Sequence, residues 1–593
     1  MPEISVPVLI VGAGPSGLTS ALALARYGID VLLVEKYAGT AHTPRAHIVN
    51  QRTVEIMRHL GIEDRLLAAA TPQDMMRNSL WVTSLAGQEV ARLESWGAGP
   101  DRATEYRAAS PSPMVNCPQT VFEPMLLDAV TEAGCDVRFE HVFESFSEDE
   151  LGVVSTVRDR RTGETLTVRS QYLIGADGAR SQILGQAGLA VTGPSGLADA
   201  YNVWFRADLS RYLAHRPGVL TWNVAPGPQS NGRLGTLICH QPFTEFVMVL
   251  FSEPGADGPA SAGDDELVHR VHEFIGDDTV EVEILGRAAW SVNAQVADAY
   301  SAGRVFCMGD AVHRHPPTNG LGLNMSVADA YNLAWKLALV LNGQAPPALL
   351  DSYSTERQPV GAVGVRRAIT SRHELADVRA ALGLTPGQSR QDGQEALDLL
   401  YAAGPEGEQR RAAVRRAIDR TNHQLNAHGT ELGYLYEHGA VASDTATDAG
   451  APDRDDDDRE LYYRPTTRPG ARLPHARLGQ GTSEISTLDL VDGPRFLLIT
   501  GIGGEQWLAA AKAAAEATGV EIDTHVIGTP GGTADLYGEW AARREVAEDG
   551  CVLVRPDRHI AWRAHRFGPT AADDLTDALR QVIGGPTAQG VNS

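Results

Sequence analysis

The glycine-rich stretch GAGPSG near the start of the chain has the spacing of a dinucleotide-binding turn. Gly12 permits a tight turn, Gly14 lets the backbone approach a pyrophosphate, and Gly17 allows a helix and a strand to pack closely. Glu35 ends the next apolar run and can accept a hydrogen bond from a ribose 2′-hydroxyl. Since that carboxylate disfavours a 2′-phosphate, the pattern predicts bound FAD or NAD rather than NADP.

A second stretch whose residues could bind a ligand begins at His313, directly after GRVFCMGDA, and reads HRHPPTNGLGLNMSVADAYNLAWKLAL. Its first half is rigid and broken by glycine, whereas its second half has helical periodicity, so a helix begins between the two. The free backbone N–H groups at a helix N-terminus can hold an electron-rich ligand edge. Asp310 precedes this stretch, and its carboxylate either binds a hydroxyl-bearing ligand or caps a helix.

The elements that must position these residues are those of an α/β fold. VPVLIVG, LTSALALARYG and DVLLVE predict a strand, a helix and a strand, and QYLIGADGARS and GRVFCMGDA predict two further strands. Alternating stretches between about residues 198 and 289 predict an inserted antiparallel sheet that covers the cofactor. Strands and helices alternate again from about residue 469, which predicts a small α/β domain.

Composition limits the possible partners. The chain has 593 residues and a net charge of −24, which argues against nucleic acid and against an anionic membrane surface. No apolar run approaches the roughly 20 residues of a spanning helix, and the N-terminus lacks the features of a secretory signal. The five cysteines are scattered without a CxxC pair, so we expect a cytoplasmic protein without disulfides or a metal site.

Three motifs, GAGPSG, GADGARS and GRVFCMGDAVHRHPPTNGLGLN, together resemble the fingerprints of the single-component FAD-dependent aromatic hydroxylases. NQRTVEIMRHLGIEDRL and the helix start at HRHPP are most similar to the phenol hydroxylase and 2,4-dichlorophenol 6-monooxygenase branch. GTELGYLYE and CVLVRPDRHIAWR extend the resemblance to the C-terminal part. It implies a Rossmann-like FAD-binding domain with an inserted antiparallel substrate sheet, followed by a thioredoxin-like domain that lacks CxxC.

The expected domain organisation follows from these motifs and from the pattern of elements. It comprises a discontinuous FAD-binding domain over 1–180 and 285–370, a substrate sheet over 181–284 with part of 75–115, a helical segment with an acidic linker over 371–468, and the thioredoxin-like domain over 469–593.

The resemblance also implies which residues contact the FAD. These are Gly12, Gly14, Pro15, Ser16, Gly17, Glu35, Lys36, Arg45, Gln119, Asp177, Gly178, Asp310, Pro317, Gly320, Gly322, Leu323 and Asn324. Backbone N–H groups around Gly320–Leu323 would face the N1/C2-carbonyl edge of the flavin, and Asn324 would add a side-chain hydrogen bond. Asn319 stands where relatives often have glycine, and we expect it to adopt left-handed backbone angles.

His47 lies where phenol hydroxylases carry an aspartate that acts on the substrate hydroxyl. The family's flavin C4a-hydroperoxide is an electrophile, so a base near neutrality would help by making the bound phenol electron-rich, and histidine has an ordinary pKa of about 6.5. The alternative is a histidine that only packs beside the flavin, as we expect for His313 and His315. The substrate wall is expected to come from the inserted sheet, where alternation lets only half of the candidates face inward. The candidates are Trp204, Trp222, Cys239, His240, Phe246, Trp290 and Asn293.

The resemblance therefore implies a monooxygenase that uses FAD, NADH or NADPH, and O2 to hydroxylate a phenol or a hydroxypyridine, usually ortho to the ring hydroxyl. Tailoring of an aromatic natural product, as in antibiotic biosynthesis, is favoured over degradation of phenols or chlorophenols, which stays open. Three other functions remain open: a flavin oxidoreductase without oxygen insertion, an NAD-linked dehydrogenase and a non-enzymatic flavin-binding protein. The expected partners are a small aromatic substrate and further copies of the chain.

Overall fold

The computed structural model describes residues 3–227, 235–252, 254, 262–444, 456–529 and 531–584. Residues 445–455, which are most of the acidic stretch predicted as a linker, lie outside these ranges. Its last residues form the short helix Asp456–Leu461.

Five parallel strands form the centre of the first sheet, as the continuous apolar runs predicted. In spatial order they are Val305–Cys307, Thr165–Gly175, Glu3–Val11, Val31–Val34 and Asp136–Arg138. Three antiparallel strands extend the sheet, namely Ser301–Ala302, Gly152–Asp159 and His141–Asp149. The helices of this region are Pro15–Arg26, Gln51–His59, Glu63–Ala69, Gln119–Glu132, Gln182–Gln186 and Leu321–Leu341.

The carboxyl ends of three of these strands are aligned. Val11 pairs with Gly175, which in turn pairs with Cys307, so the loops after all three strands leave the same edge of the sheet. Ligands of open α/β sheets bind at this edge. The three predicted fingerprints are these loops.

The second sheet has seven strands. In spatial order they are Glu283–Val292, Ala198–Arg206, Glu245–Ser252, Thr236–Gln241, Leu220–Asn223, Asn78–Val82 and Glu89–Glu94. The expectation of a purely antiparallel sheet is wrong at one point, because Leu220–Asn223 and Asn78–Val82 pair in parallel. The predicted boundary at residue 284 falls inside a strand that continues to Val292.

Helices cover both faces of this second sheet. Helix Asp264–Ile275 packs on one face through Leu267, Val271 and Phe274. The opposite face meets the FAD-binding region and, at one end, an apolar cluster that includes Val378 and Val414. The helices outside the first sheet and the C-terminal domain are Pro100–Ala109, Ser210–Leu213, Asp351–Ala381, Arg390–Asp398, Pro405–Arg420, Asn422–Leu425 and His428–Leu432.

The C-terminal region forms a third sheet of seven strands. They are, in spatial order, Ser483–Ser486, Arg477–Gln480, Thr533–Ala534, Ile522–Ile527, Phe496–Gly501, Cys551–Val554 and Ile560–Ala564. The helices Gln506–Thr518, Glu539–Arg543 and Ala571–Ile583 accompany it. Phe496 packs edge to face against Trp335 of helix Leu321–Leu341, with ring centroids 5.8 Å apart. This domain therefore packs directly against the FAD-binding region.

Two small three-stranded sheets complete the fold. Ile48–Val49, Val115–Asn116 and Thr71–Pro72 form one, and Val191–Thr192, Gln295–Ala297 and His313–Arg314 form the other. Within the described residues, no helix is long and apolar enough to cross a membrane.

Candidate active site

The three fingerprint loops are in direct contact. A Cβ built on Gly12 would collide with the carbonyl oxygen of Ala176, in the second fingerprint. A Cβ on Gly309, in the third, would lie 3.1 Å from the hydroxyl oxygen of Ser16 and 2.9 Å from that of Ser326. Glycine is therefore needed at Gly12 because a backbone carbonyl leaves no room for a side chain, and it is favoured at Gly309 because φ is 63° there and the two hydroxyls lie close.

Gly14 differs from its neighbours in the first fingerprint. A Cβ on Gly17 would collide with the carbonyl of Gly12, whereas the nearest atom to a Cβ on Gly14 is Glu123 Oε1, at 3.9 Å. Within the described ranges, no side chain caps the N-terminus of helix Pro15–Arg26, so its first amides are available to an anion. The space beside Gly14 and the free amides fit a pyrophosphate.

Glu35 is oriented at the end of the second strand. Its two carboxylate oxygens accept hydrogen bonds from the backbone N–H of Ala13, at 2.8 Å, and of Tyr37, at 3.0 Å. Among the neighbouring candidates, Lys36 and Arg45 are exposed. Both side chains are therefore on the surface, where they could reach a bound nucleotide.

Gln119 leads to a buried acid that the sequence analysis missed. Its amide donates to Glu123 Oε1 at 2.5 Å, and the Ala41 N–H donates to the other oxygen of Glu123 at 2.6 Å. Burial raises the pKa of the Glu123 carboxyl above its ordinary value. A lone acid among apolar residues in QTVFEPML was the available signal.

The two carboxylate oxygens of Asp177, in the second fingerprint, have different surroundings. One carboxylate oxygen accepts from the amides of Gln182, at 2.8 Å, and Ile183, at 3.3 Å. The other, Oδ1, is buried and has no partner in the part of the chain that the structure describes. Gly178 follows in a left-handed conformation with φ of 79°. A buried acceptor without a donor is what a ligand hydroxyl would satisfy.

Asp310 is exposed, and Arg314 donates to its backbone oxygen at 3.1 Å. The argument that a buried charge needs a donor therefore does not apply to Asp310 in the protein alone. It lies beside the contact between Gly309 and Ser16, which leaves it free to bind a ligand hydroxyl at the junction of the first and third fingerprints.

The start of helix Leu321–Leu341 has the predicted turn. Asn319 has φ of 67° and Gly320 has φ of 62°, so the expected left-handed conformation of Asn319 is confirmed. None of the described side chains caps this helix, which leaves the amides of Leu321, Gly322 and Leu323 available to an electron-rich ligand edge. Pro316 is buried and Pro317 exposed on the approach to the turn.

The predicted side-chain hydrogen bond from Asn324 to the flavin is wrong. Its Oδ1 accepts from the Asn50 N–H, at 3.0 Å, and the Thr53 hydroxyl, at 2.7 Å, while its Nδ2 donates to the carbonyls of Ile48 and Gly320. An asparagine amide has two donors and two acceptor lone pairs, so all are used. Asn324 instead holds the segment around Ile48 against the helix start.

A buried ion-pair network lies behind this helix start. Asp329 accepts from His313 Nε2 at 2.9 Å, from Arg357 Nε at 2.8 Å and from the Gly309 N–H at 3.1 Å. Burial would raise the pKa of Asp329, but Arg357 and His313 hold it below its ordinary value. This assigns His313 a structural contact, as expected, and explains how Gly309 is positioned. His315 packs beside Gly322.

His47 is buried one residue before Ile48, whose side chain packs against Gly320 at the helix start. Its Nδ1 lies 2.8 Å from Asn116 Oδ1, and its ring centroid lies 5.7 Å from that of His240 on the substrate sheet. Burial lowers the pKa of His47 to about 4. The expectation of a base with an ordinary pKa of about 6.5 is therefore wrong for the protein alone, because the imidazole is desolvated.

Cross-strand pairing decides which sheet residues face the site. Trp204 and Trp290 lie on the face towards the FAD-binding region, as does His240, whose ring centroid lies 5.7 Å from that of His47. His240 is buried, and neither of its ring nitrogens has a partner among the described residues. Phe246 and Cys239 lie on the opposite face in the core with helix Asp264–Ile275, so the expectation for Phe246 is wrong. The two sets differ because successive residues alternate between faces.

The last two candidates contact other parts of the protein. Trp222 is on the site side, but it stacks on Trp81 with ring centroids 4.7 Å apart, at the end of the sheet that the helical segment covers. The expectation for Asn293 is wrong, because its side chain accepts from the Gly196 N–H and donates to the Ser291 carbonyl beyond the strand end.

These features fit an FAD: space at Gly14, an orphaned acceptor at Asp177, and an uncapped helix start beside a buried histidine. A family model described as FAD binding domain matches residues 5–368, and one described as aromatic-ring hydroxylase, C-terminal, matches residues 466–586. The chain belongs to the FAD-dependent aromatic-ring hydroxylases. The predicted family is confirmed, and FAD rather than NAD is the dinucleotide bound.

Relatives of this hydroxylase cover it almost end to end. It is 43% identical to 2,4-dichlorophenol 6-monooxygenase of Delftia acidovorans, over 98% of each chain. It is 41% identical to phenol 2-monooxygenase of Pseudomonas sp. (strain EST1001), over 97% of this chain and 92% of the relative. Among solved structures, the flavin-dependent monooxygenase PieE in complex with FAD and substrate matches with a TM-score of 0.95, 52% identity, and coverage of 99% of this chain and all of PieE.

The hydroxylase therefore acts on an aromatic substrate with FAD, O2 and a reduced nicotinamide. When bound, FAD would supply the redox chemistry of the reaction, and the space beside Gly14, the amides at the two helix starts and Asp177 Oδ1 would hold it. The fold brings the three fingerprint loops into contact and places His240 of the substrate sheet beside His47.

Proposed function

We propose that the substrate is a phenol or a hydroxypyridine and that oxygen is inserted ortho to the ring hydroxyl. The observation that carries this proposal is the position of His47. It directly precedes Ile48, which packs against Gly320 at the start of helix Leu321–Leu341, and its ring centroid lies 5.7 Å from that of His240 on the substrate sheet. Its Nε2 has no protein partner among the described residues. A substrate hydroxyl donating to Nε2 would gain electron density in its ring.

The neutral state of His47 suits this role. With a pKa of about 4, the imidazole is unprotonated near neutral pH and can accept a hydrogen bond. Complete transfer of a phenol proton to so weak a base is unfavourable unless the resulting phenolate stays beside the imidazolium. The hydroxyl proton is therefore shared with His47 or moves to it as an ion pair.

The same residues support a substrate larger than phenol. The strands that carry His240 and Trp290 are three positions apart in the sheet, which corresponds to about 14 Å. Trp204 and Trp290 are only partly buried on this face. We therefore favour a ring with a large substituent, as in natural-product tailoring, over a simple phenol or chlorophenol.

We also propose a thioredoxin-like C-terminal domain, a cytoplasmic location and a homo-oligomeric state. The strand pairing of the C-terminal sheet, with Ile522–Ile527 parallel and Cys551–Val554 antiparallel to Phe496–Gly501, is consistent with a thioredoxin-like domain. The Cys residues are all free, which is consistent with a cytoplasmic enzyme. A homo-oligomer remains our expectation from the family.

A panel of phenols and hydroxypyridines, with and without large para substituents, tests the proposal. For each compound we expect stimulated NAD(P)H oxidation, and the ratio of hydroxylated product to nicotinamide consumed should approach one for the preferred class. Incorporation of 18O from O2 excludes an oxidoreductase without oxygen insertion. Best coupling with unsubstituted phenol or chlorophenol would favour a degradative role instead.

Comparison of His47→Gln with His423→Gln tests the base. His423 is a histidine from the helical segment, and its Nδ1 is bonded to the Arg420 carbonyl. We expect the His47 variant to lose hydroxylation by at least about tenfold while retaining FAD, and the His423 variant to change neither. Equal loss of FAD and of activity in the His47 variant would contradict a role at the substrate.

A further inference from the structure

Asn116 connects His47 to the substrate sheet. Its Oδ1 lies 2.8 Å from His47 Nδ1, and its Nδ2 donates to the backbone carbonyls of Cys239, at 3.0 Å, and His240, at 3.4 Å. The side chain is fully buried. One amide therefore joins the small sheet that contains Ile48–Val49 and Val115–Asn116 to strand Thr236–Gln241 of the substrate sheet.

The orientation of the Asn116 amide follows from its partners. The carbonyls of Cys239 and His240 can only accept hydrogen bonds, so the NH2 group must face them. The amide oxygen consequently faces His47, and because it can only accept, His47 Nδ1 must carry the proton. Neutral imidazole has a single N–H, which leaves a lone pair on Nε2.

The backbone fixes this pair in place. Ile48 and Asn116 are partners in an antiparallel ladder, and the Cys117 N–H donates to the His47 carbonyl at 2.7 Å. The relative position of the two side chains is thus set by main-chain hydrogen bonds on both sides of the contact. An imidazole held in this way cannot turn to exchange its two nitrogens without losing the bond to Asn116.

We propose that Asn116 is a positioning residue that fixes the tautomer of His47 so that Nε2 accepts the proton of the substrate hydroxyl. The inference rests on the proposed function of His47. When the substrate O–H bond breaks, its proton forms a bond with Nε2, the electron pair stays on the oxygen as phenolate, and His47 becomes imidazolium. Its Nδ1 proton remains on the hydrogen bond to Asn116, which stabilises the charged ring.

The groups that face His47 do not supply a charge of their own. Asn116 is neutral, and burial together with His47 lowers the pKa of His240 well below its ordinary value, so His240 is also neutral near pH 7. A carboxylate in place of Asn116 would be the first anion in this environment. It would stabilise the imidazolium and raise the pKa of His47.

The direct test is the protonation state of each ring nitrogen, measured by nitrogen-15 NMR of the FAD-loaded enzyme labelled at histidine. Signals of His47 are assigned by their loss in His47→Gln. We expect Nδ1 to be protonated and Nε2 to be unprotonated in the wild type. A protonated Nε2 in the neutral ring would overturn the proposal without bearing on hydroxylation itself.

Three substitutions extend the test. Asn116→Leu should leave His47 as a mixture of tautomers and lower kcat/KM for hydroxylation by about tenfold or more, with FAD retained. Asn116→Asp should preserve the tautomer and move the acidic limb of the kcat/KM profile upward by about one pH unit or more. Asn78→Leu is the matched control, because Asn78 is another buried amide and donates to the Pro217 carbonyl at 2.7 Å. Neither the His47 tautomer nor kcat/KM should change in this variant.

The outcomes separate this inference from the proposed function. Unchanged tautomer and unchanged kcat/KM in Asn116→Leu would overturn the positioning role while hydroxylation stands. A wild-type enzyme that binds FAD but hydroxylates no phenol or hydroxypyridine would overturn the proposed function, whatever the tautomer.

Discussion

Arg555 of the C-terminal domain forms a two-point ion pair with Glu356 of the helix after the FAD-binding motifs, at 2.7 and 2.8 Å, and both side chains are fully buried. Lys336 and Asp557 complete the cluster. Burial would raise the pKa of Glu356, but Arg555 and Lys336 lower it to about 2. Helix Leu321–Leu341, which carries Lys336 and begins at the candidate active site, is thereby fixed to the C-terminal domain through Glu356.

Glu356→Gln should destabilise the protein by about 3–5 kcal/mol, because it leaves Arg555 and Lys336 with too little negative charge in a buried place. Guanidinium unfolding followed by tryptophan fluorescence and by release of FAD measures the effect. Arg65→Gln is the control, since Arg65 pairs with Glu132 on the surface with side chains 47% and 60% exposed. We expect no measurable change there, and an unchanged midpoint in Glu356→Gln would show that the pair does not hold the domains together.

Gly14→Ala should fold but bind FAD more weakly, whereas Gly12→Ala should fail to fold. The methyl group on Gly14 meets no protein atom closer than 3.9 Å and enters the space expected for the pyrophosphate. On Gly12, it would collide with the Ala176 carbonyl, and φ is 111°. Circular dichroism and FAD titration distinguish the two, with a loss of affinity of at least about tenfold expected for Gly14→Ala. Normal FAD affinity in that variant would move the pyrophosphate elsewhere.

Asn324→Leu should lower both stability and FAD affinity. The Asn50 N–H and the Ile48 and Gly320 carbonyls lose their partner, and each buried group left unpaired costs about 1–3 kcal/mol. Asn342→Leu, an exposed position at the other end of the same helix, is the matched control. If Asn324→Leu lowered FAD affinity without lowering the unfolding midpoint, a direct contact with the flavin would be the better explanation.

Glu431→Gln should stabilise the protein above pH 8 more than at pH 5. Burial raises the pKa of Glu431 to about 8, so the folded state keeps a proton that the unfolded chain releases near pH 4.5. The stability gained in this way is complete below pH 4.5 and is lost as the pH rises through 8. Unfolding midpoints between pH 5 and 9 test this, with the exposed Glu437→Gln as control. A difference that is independent of pH would contradict the raised pKa.

The fingerprint loops could be predicted from sequence because their requirements are local and steric. Gly12, Gly17 and Gly320 are glycines since a Cβ would meet backbone or a neighbouring side chain, and their spacing carries that information. The order of strands and helices followed from periodicity for the same reason. Local pattern was thus sufficient for the cofactor loops.

Contacts between distant segments could not be predicted in this way. Alternation along Glu245–Ser252 defines two faces but not which one meets the flavin, so Phe246 was placed on the wrong side. The pairing of His47 with Asn116 spans 69 residues, and no feature of PMVNCPQ marks that asparagine. Asn324 was misjudged because its partners also come from a distant segment.

The two faces of the substrate sheet have different tasks, since one faces the substrate and the other forms part of the apolar core. Side chains such as Trp204 and Trp290 can change without disturbing the apolar layer that Phe205 and Met248 form with helix Asp264–Ile275. Libraries for altered selectivity would do best to randomise alternate positions only. A lineage of such enzymes could exchange one aromatic substrate for another while keeping the same apolar core on the other side of the sheet.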